Sequence, residues 1–206
     1  IDTTNPTGIG FSLLTDTGSS STDGISSVGT VAVTGLNADT TWEYSINATA
    51  GTPTWTTGVG SSFTLAAGDY AIGDINVRQT DAAGNLNTSS GNAALITIDQ
   101  TAPAAAVIAV VADSQNNTYA AGFSVTTGAV VSLNGADLAN FTKQTNVGGL
   151  DIYTANDGAF AGTESIAVSA SFTDTAGNIS TSSLNLPSID TTNPTGIGFS
   201  LLTDTG

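Results

Sequence analysis

The chain has 206 residues, with Lys+Arg 2 against Asp+Glu 17, a formal net charge of −15, no cysteine and no histidine. So acidic a chain is repelled by nucleic-acid phosphates and by anionic membrane surfaces, and no disulfide staples it. Without histidine or cysteine it lacks the usual general base, the commonest transition-metal ligand and the thiol nucleophile, so Ser-His-Asp chemistry is excluded; we read it as no enzyme.

Of the acidic residues, all but Glu43 and Glu164 are Asp. Asp favours turns and is a compact oxygen ligand for hard cations. Gly, Thr, Ser, Asn and Asp are spread along the chain and strong helix formers are scarce. Short alternating runs between turn clusters predict an all-β fold.

Taken in order, residues 10–14 predict a first strand and 15–27 a polar loop carrying Asp16 and Asp23. Strands follow at 30–36 and 41–48, the latter with Trp42, Tyr44 and Ile46 on one face and Glu43 on the other. Shorter strands are expected at 54–56 and 62–66. Residues 74–80 place Ile75 and Val77 inward and Arg78 outward, opposite Glu43. A loop at 81–87 leads to a last strand at 93–98. This is about seven strands at the spacing of an immunoglobulin-like sandwich, with Trp42 as core.

The second half repeats the plan. Strands are expected at 105–111, 123–126, 129–133, 140–146, 151–154, 165–173 and 182–188, with Ile166, Val168, Ala170 and Phe172 inward. In the first of these, β-branched residues outweigh the alanines that would favour helix. The longest apolar run, 104–112, is too short to span a bilayer.

The repeat itself is explicit. Residues 1–18 recur letter for letter as 189–206, and Ile98-Asp99-Gln100-Thr101-Ala102-Pro103 is a looser copy of the opening. The pattern Ile-Asp-x-Thr-x-Pro thus places Asp2, Asp99 and Asp190 at spacings of 97 and 91 residues, about one small β-sandwich each. We expect tandem domains at 1–98 and 99–189, and at 190–206 the linker and first strand of a truncated third, which frays or pairs with another molecule. The chain opens inside a linker, so we expect it to be part of something longer. Pro6, Pro103 and Pro194 restrict the linkers locally.

A second echo is Thr80-Asp81-Ala82-Ala83-Gly84-Asn85 against Thr173-Asp174-Thr175-Ala176-Gly177-Asn178. Such a turn suits either a calcium-binding loop of hard oxygen ligands or a plain Asx-turn. Sandwich geometry gathers carboxylates at the linkers. Asp99, Asp174 and Asn178 should meet Asp16 and Asp23, with Asp69 as a further candidate. Asp2 should meet Asp81 and Asn85; Asp190 should meet Asp113 and Asp157.

These linkers and loops, with Trp42-Glu43-Tyr44-Ser45, resemble the tandem bacterial immunoglobulin-like extender repeats of giant repeats-in-toxin (RTX) adhesins. The resemblance implies an extracellular, bacterial cell-surface protein exported by type I secretion, a calcium (Ca2+) cofactor at domain junctions, and a rod that holds a ligand-binding tip away from the cell. By resemblance, Asp99, Asp174 and Asn178 are junction ligands, with Asp2, Asp81, Asn85 and Asp190 equivalent. Gln100 departs from the Thr3 and Thr191 of the other linkers. The glycine-rich nonapeptide repeats of the toxin family are absent; Gly148-Gly149-Leu150-Asp151 reads as a turn. The implied partners are neighbouring repeats of the same chain. The alternative is a glycan- or surface-binding module, for which Trp55, Tyr119 and Tyr153 are the candidate aromatics. A glycosidase carboxylate pair has no cleft to mark it. Five Asn-x-Ser/Thr matches, at Asn47, Asn87, Asn116, Asn140 and Asn178, are of the kind chance produces in such a composition.

Overall fold

The computed structural model describes residues 1–113 and 119–192. Pro194, the strand expected after the third linker, and the Asn116 sequon lie outside the described residues. The fold is all-β, several sheets around apolar cores, consistent with a β-sandwich. Among the described residues no helix is long and apolar enough to cross a membrane. The chain divides into two compact units, Ile1–Pro103 with Thr173–Ile179, and Ala104–Phe172 with the residues from Ser180 onward.

In the first unit β1 (Gly10–Leu13), β3 (Thr30–Thr34) and β6 (Ser62–Thr64) form one sheet in the order β1-β3-β6. β4 (Thr41–Ser45), β5 (Thr56–Thr57), β8 (Asn76–Thr80) and β9 (Leu86–Thr88) form a second, ordered β5-β4-β8-β9. A small third sheet joins β2 (Ile25–Ser26), β10 (Ile96–Ile98) and β7 (Gly68–Tyr70), with the β2–β10 pair parallel. Alternate residues of these strands fill one core: Val31, Val33, Phe63, Trp42, Ile75, Val77 and Ile98 are all buried, as the period of two requires. Tyr44 stacks on Phe63 at 4.2 Å between centroids, and the Trp42 indole donates to the Gly60 carbonyl at 2.9 Å.

Most expected strands stand within a few residues of their predicted bounds. Ile46 does not join the core face. β4 ends at Ser45, one residue before it, and Ile46 is exposed. β2, β7 and β9 are additional. Each is two or three residues long, too short to show alternation. β9 shortens the expected 81–87 loop to a hairpin turn. Glu43 does lie opposite Arg78, and their side chains pair at 2.7 Å.

The second unit has two sheets. β11 (Ile108–Ala112), β12 (Ala120–Thr126), β15 (Leu150–Ala155) and β14 (Phe141–Val147) are ordered β11-β12-β15-β14. β13 (Val130–Asn134), β16 (Ala167–Thr173) and β17 (Ile179–Asn185) are ordered β13-β16-β17. Phe123, Val125, Phe141, Phe160, Ile166, Val168, Ala170 and Ile189 make its core. Tyr153 belongs here as well. It is buried and stacked on Phe123 at 4.6 Å, so it is no exposed platform.

Candidate functional site: the linkers and their turns

The structure sorts the eleven predicted site residues into four places. The first holds Asp2, Asp81 and Asn85. The chain leaves β8 and returns in β9 within the turn 81–85. Asp81 caps this turn: its Oδ1 accepts the Ala83 and Asn85 N–H groups at 2.9 and 2.8 Å, and its Oδ2 accepts Asn85 Nδ2 at 2.8 Å. Asn85 Nδ2 also reaches the Asp2 carbonyl at 3.4 Å. The Asp2 carboxylate accepts the Thr4 N–H, an Asx turn that sets the linker's course.

The second place repeats this arrangement at Asp99, Asp174 and Asn178. Asp174 Oδ1 accepts the Asn178 N–H at 2.8 Å and Oδ2 accepts Asn178 Nδ2 at 2.9 Å. Asn178 Nδ2 donates to the Asp99 carbonyl at 2.8 Å, and Asp99 Oδ1 accepts the Thr101 N–H. The carboxyls of Asp81 and Asp174 are held below the usual carboxylate range, first by the Asn85 and Asn178 amides and then by backbone N–H groups. Both motif residues therefore have protein partners, and the turn uses its carboxylate as an Asx-type cap.

Asp16 and Asp23 line a cleft of about 350 Å³ together with Thr22, Gly24 and residues 91–96, and the Asp99 N–H donates to the Ser26 carbonyl of β2, which follows them in the chain, at 3.0 Å. Asp16 Oδ2 accepts the Gly24 N–H and Asp23 Oδ1 the Ile25 N–H, both at 3.0 Å. Asp16 Oδ1 is buried with no hydrogen-bond partner among the described residues. A buried acceptor left unmatched costs about 1–3 kcal/mol. Asp69 stays on β7, accepting the Thr97 hydroxyl of β10 at 2.7 Å.

The fourth place lies in the second unit. Asp113, Asp157 and Asp190 line one cleft of about 360 Å³, with Thr154, Thr191 and Thr192. The linker is fixed there by pairing with the 158–162 loop. Thr191 N–H donates to the Phe160 carbonyl, Gly162 N–H to Ile189, and Gly158 N–H to Thr191. Asp190 Oδ1 accepts both the N–H and the hydroxyl of Thr192, which holds its carboxyl low. The three carboxylates share this lining, but among the described residues no group of three or more His, Cys, Asp or Glu is drawn closely enough to hold a metal unaided.

Sequence reasoning missed the residues that cover the second turn. The Thr17 hydroxyl donates to the Ala176 carbonyl at 2.6 Å, the Ser27 N–H donates to the same oxygen at 3.2 Å, and the Ser19 N–H donates to Thr175 at 3.4 Å. Thr and Ser in a polar loop carry no pattern that distinguishes a seat from solvent-facing residues. Gln79 was also missed. It is fully buried, donates to the carbonyls of Thr7 and Gly35, and accepts the Asn37 N–H. It thereby ties the segment after the first linker to β8. At the matching place of the second unit stands Phe172, and the Ser180 and Ser182 hydroxyls bond the Ala104 and Ala106 carbonyls instead.

No protein-family model and no curated protein matches this chain.

Proposed function

We propose that this chain is a structural extender segment of a secreted cell-surface adhesin: tandem immunoglobulin-like sandwiches, stiffened by calcium at the linkers so that a distal binding region is projected. The observation that carries the reading is the duplicated contact of linker with turn. Asn85 on the Asp2 carbonyl and Asn178 on the Asp99 carbonyl are one device used twice. A spacer needs the same joint at each step, whereas a recognition tip or an active site is needed once.

Two features favour calcium. Asp16 Oδ1 is a buried carboxylate oxygen without a donor among the described residues, and it shares a cleft with Asp23. Asp113, Asp157 and Asp190 line one cleft with threonine hydroxyls around them. All are hard oxygen ligands of the kind calcium takes, and waters complete such shells. Extracellular sites of this type bind at about 0.1–1 mM, so they fill outside the cell. Asp81 and Asp174, committed to their own turns, serve as braces and not as primary ligands.

Calorimetry with calcium and with chelator tests the reading. The expected result is a melting temperature that rises as calcium passes through the millimolar range, with Asp16→Asn and Asp190→Asn each reducing the rise. A melting temperature indifferent to calcium up to about 10 mM, ten times the weakest affinity expected of such a site, would sink the calcium part.

A further inference from the structure

The first compact unit contains both copies of the Asp-x-Ala-Gly-Asn turn, and they are built alike. Asp81 and Asp174 each accept their Asn N–H at 2.8 Å, and each donates its own N–H to the Asn carbonyl at 3.1 Å. The two turns differ in what covers them. Ala176 is fully buried, whereas Ala82, Ala83 and Gly84 are exposed. The cover over 174–178 is a seat made by Thr17, Gly18, Ser19 and Ser27, and it grips the backbone carbonyls of Thr175 and Ala176. Gly18 lies flat against the turn: a Cβ there would fall 2.0 Å from the Thr175 carbonyl oxygen. Because the seat reads main-chain carbonyls, the change from Thr175 to Ala82 leaves the turn's half of the contact intact.

We infer that the turn 81–85, braced by Asp2, is a preformed docking knob, and that its partner is a β-sandwich presenting a seat of the Thr17–Gly18–Ser19–Ser27 kind. The inference rests on the reading of the chain as a run of repeats, and names the contact by which one repeat receives the next. A second copy of this chain is not that partner. Its own seat is filled by its own 174–178 turn, and two chains of net charge −15 repel. The inferred partner is a tethered repeat of the same kind presenting that seat, for which the encounter is intramolecular.

The test lengthens the full chain by a copy of residues 1–98 joined so that its Ile98 replaces Ile1, and follows hydrogen exchange in chelator. Amides of 81–85 should exchange about tenfold or more slower than in the 206-residue chain, approaching those of 174–178. Gly18→Val in the added copy should abolish the slowing, while that copy's residues 30–34 stay protected. Unchanged exchange at 81–85 overturns the inference. Slowing that needs calcium also overturns it, and leaves the calcium reading standing. Slowing in chelator with no effect of calcium on melting retains the docking knob and removes the ion. In the unmodified chain, Gly18→Val should speed exchange at 174–178 to the rate of 81–85; if 174–178 is unaffected, the seat does not cover that turn and the inference fails.

Discussion

Asp151 shows how one acidic residue is used when cations are scarce. Its side chain is almost wholly buried. It takes the Lys143 ammonium at 2.8 Å, the Asn146 N–H at 3.0 Å and the Thr127 hydroxyl at 3.0 Å. Lys143 first, then the Asn146 N–H, holds its carboxyl down to about 2. A carboxyl depressed in the folded state stabilises the fold above its ordinary pKa and loses that contribution as pH falls through its folded value. The chain should therefore lose stability between about pH 4 and pH 2, and Asp151→Asn should flatten that part of the melting-temperature profile. A variant as acid-sensitive as the parent would remove Asp151 from the account. Asn178 is a second residue with two duties. Asn178→Ala deletes the amide that bridges Asp174 and the Asp99 carbonyl, and should cost about 1–2 kcal/mol by thermal unfolding. Asn85→Ala should cost less, because its bond to Asp2 is 3.4 Å long and exposed.

The pairing of β4 with β5 is set by a missing side chain. The Trp42 indole lies over Gly58, where a Cβ would sit 2.1 Å from the ring, and Gly58 N–H donates to the Trp42 carbonyl at 2.9 Å. The tryptophan of β4 is legible as core from its place in the alternation. That glycine is what lets it lie flat is a contact between residues sixteen apart, and no periodicity reports it. Gly58→Ala should destabilise the first unit by about 1–3 kcal/mol through overpacking, with a changed tryptophan near-ultraviolet signal; a wild-type melting temperature would refute this. Gln79 makes the same point. On β8 it alternates inward with Val77, in line with Ile75 just before the strand, and a polar residue there is tolerated because each of its atoms is matched.

Across the whole molecule the charge is nearly unopposed. Both cationic side chains, Arg78 and Lys143, are already committed to Glu43 and Asp151. No further lysine or arginine is present to balance the remaining carboxylates, and added cations are the available counter-charge. Small-angle scattering should accordingly give a larger and sharper maximum dimension in millimolar calcium than in chelator. Equal curves would leave no stiffening for the ion to explain.

What the sequence by itself determined was the all-β class, most strands, the inward residues other than Ile46, the Glu43–Arg78 pair and the repeat of linkers and turns. These follow from local rules, in which a period of two chooses the buried face and Gly, Asn and Asp punctuate it. Tertiary structure decided that Asp16 and Asp23 share one cleft and Asp113, Asp157 and Asp190 another, that Tyr153 is core, and that Thr17 and Ser27 close over Ala176. Those outcomes depend on residues brought together from up to 159 positions apart. A polar residue's partner is fixed by where the chain returns, and the identity of that residue alone does not carry it.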